Sequence, residues 1–155
     1  MNKKQGQERG SREPIRVAMV GTYSPMPCGI ATFGADLRRA IQGDHAAVVV
    51  DIIAVGDPEA IGQLPPPPEV VHRISRTTRS DYVRAAEFVN HKQYDIVCVQ
   101  HEYGIYGGPD GAYLLDFIES CEAPLVTTLH TIIDQGAPPP PQGMGGRLAP
   151  PAHGM

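Results

Sequence analysis

IRVAMVGTYSPMPCGIATFGADLRRAIQG, residues 15–43, decides the fold. Its first seven residues form an apolar run of strand length and composition. GIATFGADLRRAIQG follows, with Ile30, Phe33, Leu37 and Ile41 on one helical face. A strand that turns within a few residues into an amphipathic helix is half of a βαβ unit, and the rest of the chain repeats it. AAVVVDIIAV (46–55) is almost continuously apolar, as expected of a strand covered on both faces. The loop GDPEAIGQLPPPPE comes next, and its four prolines make a stiff, extended spacer.

VVHRIS (70–75) is a third strand. Ser80 is placed to cap a helix carrying Val83, Ala86 and Val89, with Asp81 in its first turn. YDIVCVQ (94–100) is the fourth strand, followed by the glycine-rich QHEYGIYGGPDG (100–111). The next helix carries Leu114, Phe117, Ile118 and Cys121, with Gly108 at its cap and Pro109 at its first position. APLVTTLHTII (123–133) is the fifth strand. Strands alternating with helices predict an α/β, doubly wound parallel sheet over residues 15–133. Residues 1–14 read as a disordered lead-in. Residues 134–155, with six prolines and five glycines, read as a disordered tail that cannot bury enough surface to offset its ordering entropy.

A chain of 155 residues suits one domain, and 41% apolar with 19% charged residues is a globular balance. A net charge of −4 with scattered basic residues argues against a nucleic-acid partner. Cys28, Cys98 and Cys121 form no CxxC pair and read as reduced thiols, which points to a cytoplasmic protein. No stretch reaches the roughly 18 apolar residues of a membrane span, and the charged N-terminal segment has no apolar core behind it, so no secretory signal is expected.

Ligands of open parallel sheets bind beyond the carboxyl ends of the strands. Three strands turn polar at that end: the first at Gly21, Thr22 and Tyr23, the fourth at Gln100, His101, Glu102 and Tyr103, the fifth at Thr128, His130 and Thr131. Gly29, Ile30 and Ala31 open the first helix, where backbone N–H groups can receive a phosphate. The segment is neither a GxGxxG fingerprint nor a GxxxxGK[ST] loop, and a glycine that merely permits a tight turn explains it equally on local grounds. His101, Glu102 and His130 do not stand at the spacing of a metal-ligand motif, so no metal is assigned. Cys28 with His101 or His130 carries no signature of a nucleophilic pair. His45, His72, His91 and His153 have no constellation around them.

In combination and in order, PMPCGIATF (25–33), QHEYGIYGGPDG (100–111) and VTTLHT (126–131) resemble the N-terminal domain of family 4 glycosyltransferases, the retaining sugar transferases of GT-B fold. The likeness spans residues 15–133. It implies a Rossmann-like domain that supplies the acceptor side of a cleft, with a nucleotide-sugar donor held mainly by a second domain through a Glu-x7-Glu motif. By that resemblance Gly29, Ile30 and Ala31 face the donor phosphates. His130 is the catalytic residue beside the transferred sugar, while Gln100, His101, Glu102, Tyr103 and Thr131 line the sugar and acceptor side. No cofactor or metal is implied.

The 155 residues contain no Glu-x7-Glu pair. The expectation is therefore a glycosyltransferase-like chain that is inactive alone and is completed by a missing C-terminal domain acting in trans. The abrupt change at Asp134 reads as truncation or a shifted reading frame. The alternative is a non-catalytic interaction domain that uses an unfinished sheet edge. A flavodoxin-like module is disfavoured because no acidic cluster follows the first strand.

Overall fold

A computed structural model of the chain describes residues 13–43, 47–57, 59 and 65–132. The lead-in up to residue 12 and the tail at 134–155 lie outside the described residues. Five strands form one parallel sheet: β1 (Ile15–Gly21), β2 (Val48–Gly56), β3 (Val70–Ser75), β4 (Ile96–His101) and β5 (Leu125–Leu129). Their order is β3-β2-β1-β4-β5, the doubly wound arrangement expected from the alternation of strands and helices. Among the described residues three α-helices flank the sheet: α1 (Gly29–Gly43), α2 (Arg79–Lys92) and α3 (Tyr113–Ser120).

Register decides which side chains share a core. Val17 pairs with Val50 and Met19 with Ile52, and these four pack beneath Leu37 and Ile41 of α1. The alternate residues Ala18, Val20, Ile53, Val55, Val97 and Val99 point to the other face. There they meet Tyr82, Ala85, Ala86 and Val89 of α2 and Leu114 and Phe117 of α3. Val50, Ile52, Ile53 and Val55 are all at most 1% exposed, so β2 is apolar because both its faces are covered.

Several local expectations shift. Helix α2 starts at Arg79 with Thr78 at its N-cap, so Ser80 lies inside the first turn instead of capping it. The carboxylate of Asp81 accepts the amide proton of Ser75 at 2.9 Å and so ties the helix to the end of β3. The buried stripe of α2 runs through Tyr82, Ala85, Ala86 and Val89, an i, i+3, i+4, i+7 set one position earlier than a stripe hung on Val83. Gly108 and Pro109 begin a single 3₁₀ turn, Pro109–Gly111, and the α-helix itself starts at Tyr113. β5 spans five residues and forms one edge of the sheet, with Val126 55% and Leu129 56% exposed. No helix among the described residues is long and apolar enough to cross a membrane.

Candidate functional site at the carboxyl ends of β1, β4 and β5

The chain leaves β1 toward α1 on one face and β4 toward α3 on the other, so these adjacent strands part and leave a crevice at their carboxyl ends. On the α1 side, the Thr22 hydroxyl lies 3.1 Å from Cys28 Sγ, and the same sulfur accepts the amide proton of Ala31 at 3.3 Å. Cys28 thus takes the place of a capping residue. Its sulfur is engaged with Thr22 and Ala31 and not with His101 or His130.

Ala31 is 2% exposed with its N–H turned to sulfur. Gly29 and Ile30, the first two residues of α1, have amides with no partner inside the helix. A β-carbon added at Gly29 would meet nothing within 4 Å. The glycine therefore leaves open space at the positive end of the helix, and no close packing requires it.

Gln100 and His130 form the centre of the cluster. Gln100 is 2% exposed at the end of β4, and its side-chain oxygen lies 2.9 Å from His130 Nε2. Register explains the meeting: Gln100 pairs with Thr128, and His130, two residues further on, returns to the same face. The His130 ring meets that of Phe33 of α1 in a T-shaped contact, at a centroid distance of 4.8 Å and an interplanar angle of 83°. Phe33, expected on the buried stripe of α1, is 42% exposed and bridges the helix to the end of β5.

Glu102 joins the same loops. One carboxylate oxygen accepts from the Thr131 hydroxyl at 2.6 Å, the other from the Tyr103 amide at 2.8 Å. The His130 amide donates to the carbonyl of His101 at 3.0 Å, extending the ladder past β5.

Of the residues singled out in the sequence, Gln100, Glu102, His130 and Thr131 therefore come together beside the start of α1. The His101 ring does not. It pairs in register with Leu129 on the opposite face, stacks on Tyr106 at 6.1 Å, meets Tyr103 edge-on at 5.5 Å and buries an Nδ1 without a partner. Alternation along β4 separates the two histidines. Among the described residues no group of three or more His, Cys, Asp or Glu side chains stands close enough to hold a metal ion.

Two tyrosines missing from the sequence-based site hold it in place. Tyr106, 4% exposed, donates its hydroxyl to the Gln100 carbonyl at 2.8 Å. Burial raises its pKa well above the usual phenol range, so it remains a donor. Tyr82 accepts the Gly107 amide proton at 2.9 Å and anchors the other side of the loop. An aromatic between glycines is the only sequence signal for Tyr106.

A separate shallow depression lies toward β2 and β3, lined in part by Tyr23, Pro25, Met26, Val55 and Pro67. At its wall the Tyr23 hydroxyl donates to Glu69 at 2.9 Å, and burial together with that carboxylate pushes the phenol up to about 12. The group braces the β1–α1 loop against the start of β3. Neither a protein-family model, a curated protein nor a solved structure matches the chain.

Proposed function

We propose that the chain is the acceptor-side half of a retaining, nucleotide-sugar-dependent glycosyltransferase. In this reading the open end of α1 at Gly29 and Ile30 receives the donor phosphates, and His130 contacts the transferred sugar. Gln100, Glu102 and Thr131 shape the wall beside it. The observation that carries the proposal is that Phe33, early in α1, meets the ring of His130, so the helix start with open space at Gly29 and the Gln100–His130 pair belong to neighbouring elements. A hexose attached through phosphates needs both: positive dipole for the anion, and hydrogen-bonding side chains a few ångströms away for hydroxyls.

Catalysis of this kind is positional and electrostatic. Holding two substrates in reacting geometry contributes on the order of 7–11 kcal/mol. The donor's main anchor, the Glu-x7-Glu motif, is absent from these 155 residues. The donor domain is then supplied by another segment or chain, and the present residues alone bind weakly without turnover.

Amide-resolved NMR titration with a panel of uridine-, guanosine- and adenosine-diphosphate hexoses tests the proposal. Shifts confined to Gly29, Ile30, Gln100, His130 and Thr131 support it; absence of any response there refutes it. Salt-resistant oligomers formed without ligand, together with no response, would favour the non-catalytic interaction domain.

A further inference from the structure

We infer that Gln100 is a positioning residue that fixes His130 as an Nε2–H tautomer and turns its Nδ1 outward as a hydrogen-bond acceptor. The inference deepens the proposed function, because it rests on His130 being the group that meets the sugar.

Three features carry it. Gln100 is 2% exposed, and its carboxamide oxygen stands 2.9 Å from His130 Nε2, where an amide oxygen can only accept. The imidazole must therefore donate from Nε2. His130 Nδ1 has no hydrogen-bond partner among the described residues and is not buried, so solvent or a ligand can reach it.

Gln100 itself has little freedom. Its backbone carbonyl is held by Tyr106 at 2.8 Å, and its side chain lies over Gly21, where an added β-carbon would stand 3.0 Å from Gln100 Cβ. Gly21 on β1 thus makes room for Gln100 on β4, Gln100 holds His130 beyond β5, and the Phe33 ring packs against the imidazole at 4.8 Å.

The consequence is a choice of ligand group. A neutral imidazole with a bare Nδ1 accepts from a hydroxyl and offers nothing to a phosphate oxygen. His130 is then built for an uncharged, hydroxyl-bearing part of the ligand, while the anionic part belongs at the end of α1.

Long-range ¹H–¹⁵N NMR of the imidazole rings tests this on the chain without any ligand. The wild-type chain is expected to give a directly visible His130 Nε2–H proton and the nitrogen pattern of a single Nε2–H tautomer. In Gln100→Leu the proton exchanges with water and disappears. In Gln100→Glu, which keeps an acceptor, it persists. Gly21→Ala, which pushes on Gln100 without altering its chemistry, weakens the signal and serves if Gln100→Leu does not fold.

An Nδ1–H tautomer in the wild type overturns the inference. So does an unchanged Nε2–H proton in Gln100→Leu, or its loss in Gln100→Glu, which would make the effect one of repacking. Because no sugar is present, a failed nucleotide-sugar titration leaves this outcome untouched, and the two ideas fall separately.

Discussion

Gly107 lies so close to Arg76 that a β-carbon on it would stand 1.7 Å from the Arg76 carbonyl oxygen. The contact is backbone on backbone, so neither side can yield by a rotamer change. Its amide donates to Tyr82, whose own hydroxyl donates to the same Arg76 carbonyl at 3.2 Å. The glycine-rich loop after β4 is thereby clamped to the turn after β3.

Gly107→Ala is expected to cost stability at the upper end of the roughly 1–3 kcal/mol typical of overpacking. That corresponds to a fall in Tm on the order of 10 °C. Thermal unfolding followed by circular dichroism measures it. A change of only a degree or two would mean that the loop moves freely.

Gly29 offers the contrast, since nothing stands within 4 Å of an added β-carbon. Gly29→Val should leave stability within about 0.5 kcal/mol of wild type, as surface changes usually do. It should also abolish the response of Ile30 to a nucleotide sugar by filling the approach to the helix end. An undiminished response would reduce Gly29 to a turn residue.

His130→Ala strips the partner from a buried carboxamide oxygen. Leaving such a group unsatisfied costs about 1–3 kcal/mol, visible as a lower urea midpoint at unchanged m-value. In an enzyme completed with its donor domain the same change should lower turnover beyond what this destabilisation explains. Equal losses of folding and turnover would make His130 a structural residue only.

Much of the fold is legible in the sequence, for a definite reason. Strands β1 and β3 and helix α1 fall at their expected bounds because an apolar run meets a clear punctuation: Gly21 and the Pro25–Pro27 turn, the four prolines before Val70, Gly29 and Gly43. The strand-end cluster is legible from three strands turning polar together. What escapes is everything set by a side chain's direction. Phe33 fits the period of the buried stripe, yet it is 42% exposed and its ring meets His130. His101 and Gln100 are neighbours in the sequence and lie on opposite faces. Nothing in the sequence marks the partners of Tyr82 and Tyr106, whose hydroxyls donate to carbonyls within the fold.

His72 makes a pH prediction. Its ring stacks on Phe88 at 4.8 Å and is half-buried, with Asp81 and Arg84 facing it. Burial holds its pKa below the ordinary value of 6.5; Asp81 works against the shift and Arg84 with it. The unfolded chain therefore binds the proton more readily, so the contribution of His72 is present above about pH 6.5 and is lost as pH falls below it. Urea midpoints between about pH 7.5 and 5 should fall less steeply for His72→Phe than for wild type. Parallel curves would show that His72 titrates alike folded and unfolded.

The most direct test of the central claim is saturation-transfer difference NMR of a nucleotide sugar, such as uridine diphosphate glucose, over the purified chain. Under the proposed function, saturation is expected on the hexose protons and little on the uracil protons, because the proposed contacts are to sugar and phosphate. The signal should vanish in Gly29→Val. Saturation centred on the base, or none at any position, would contradict it.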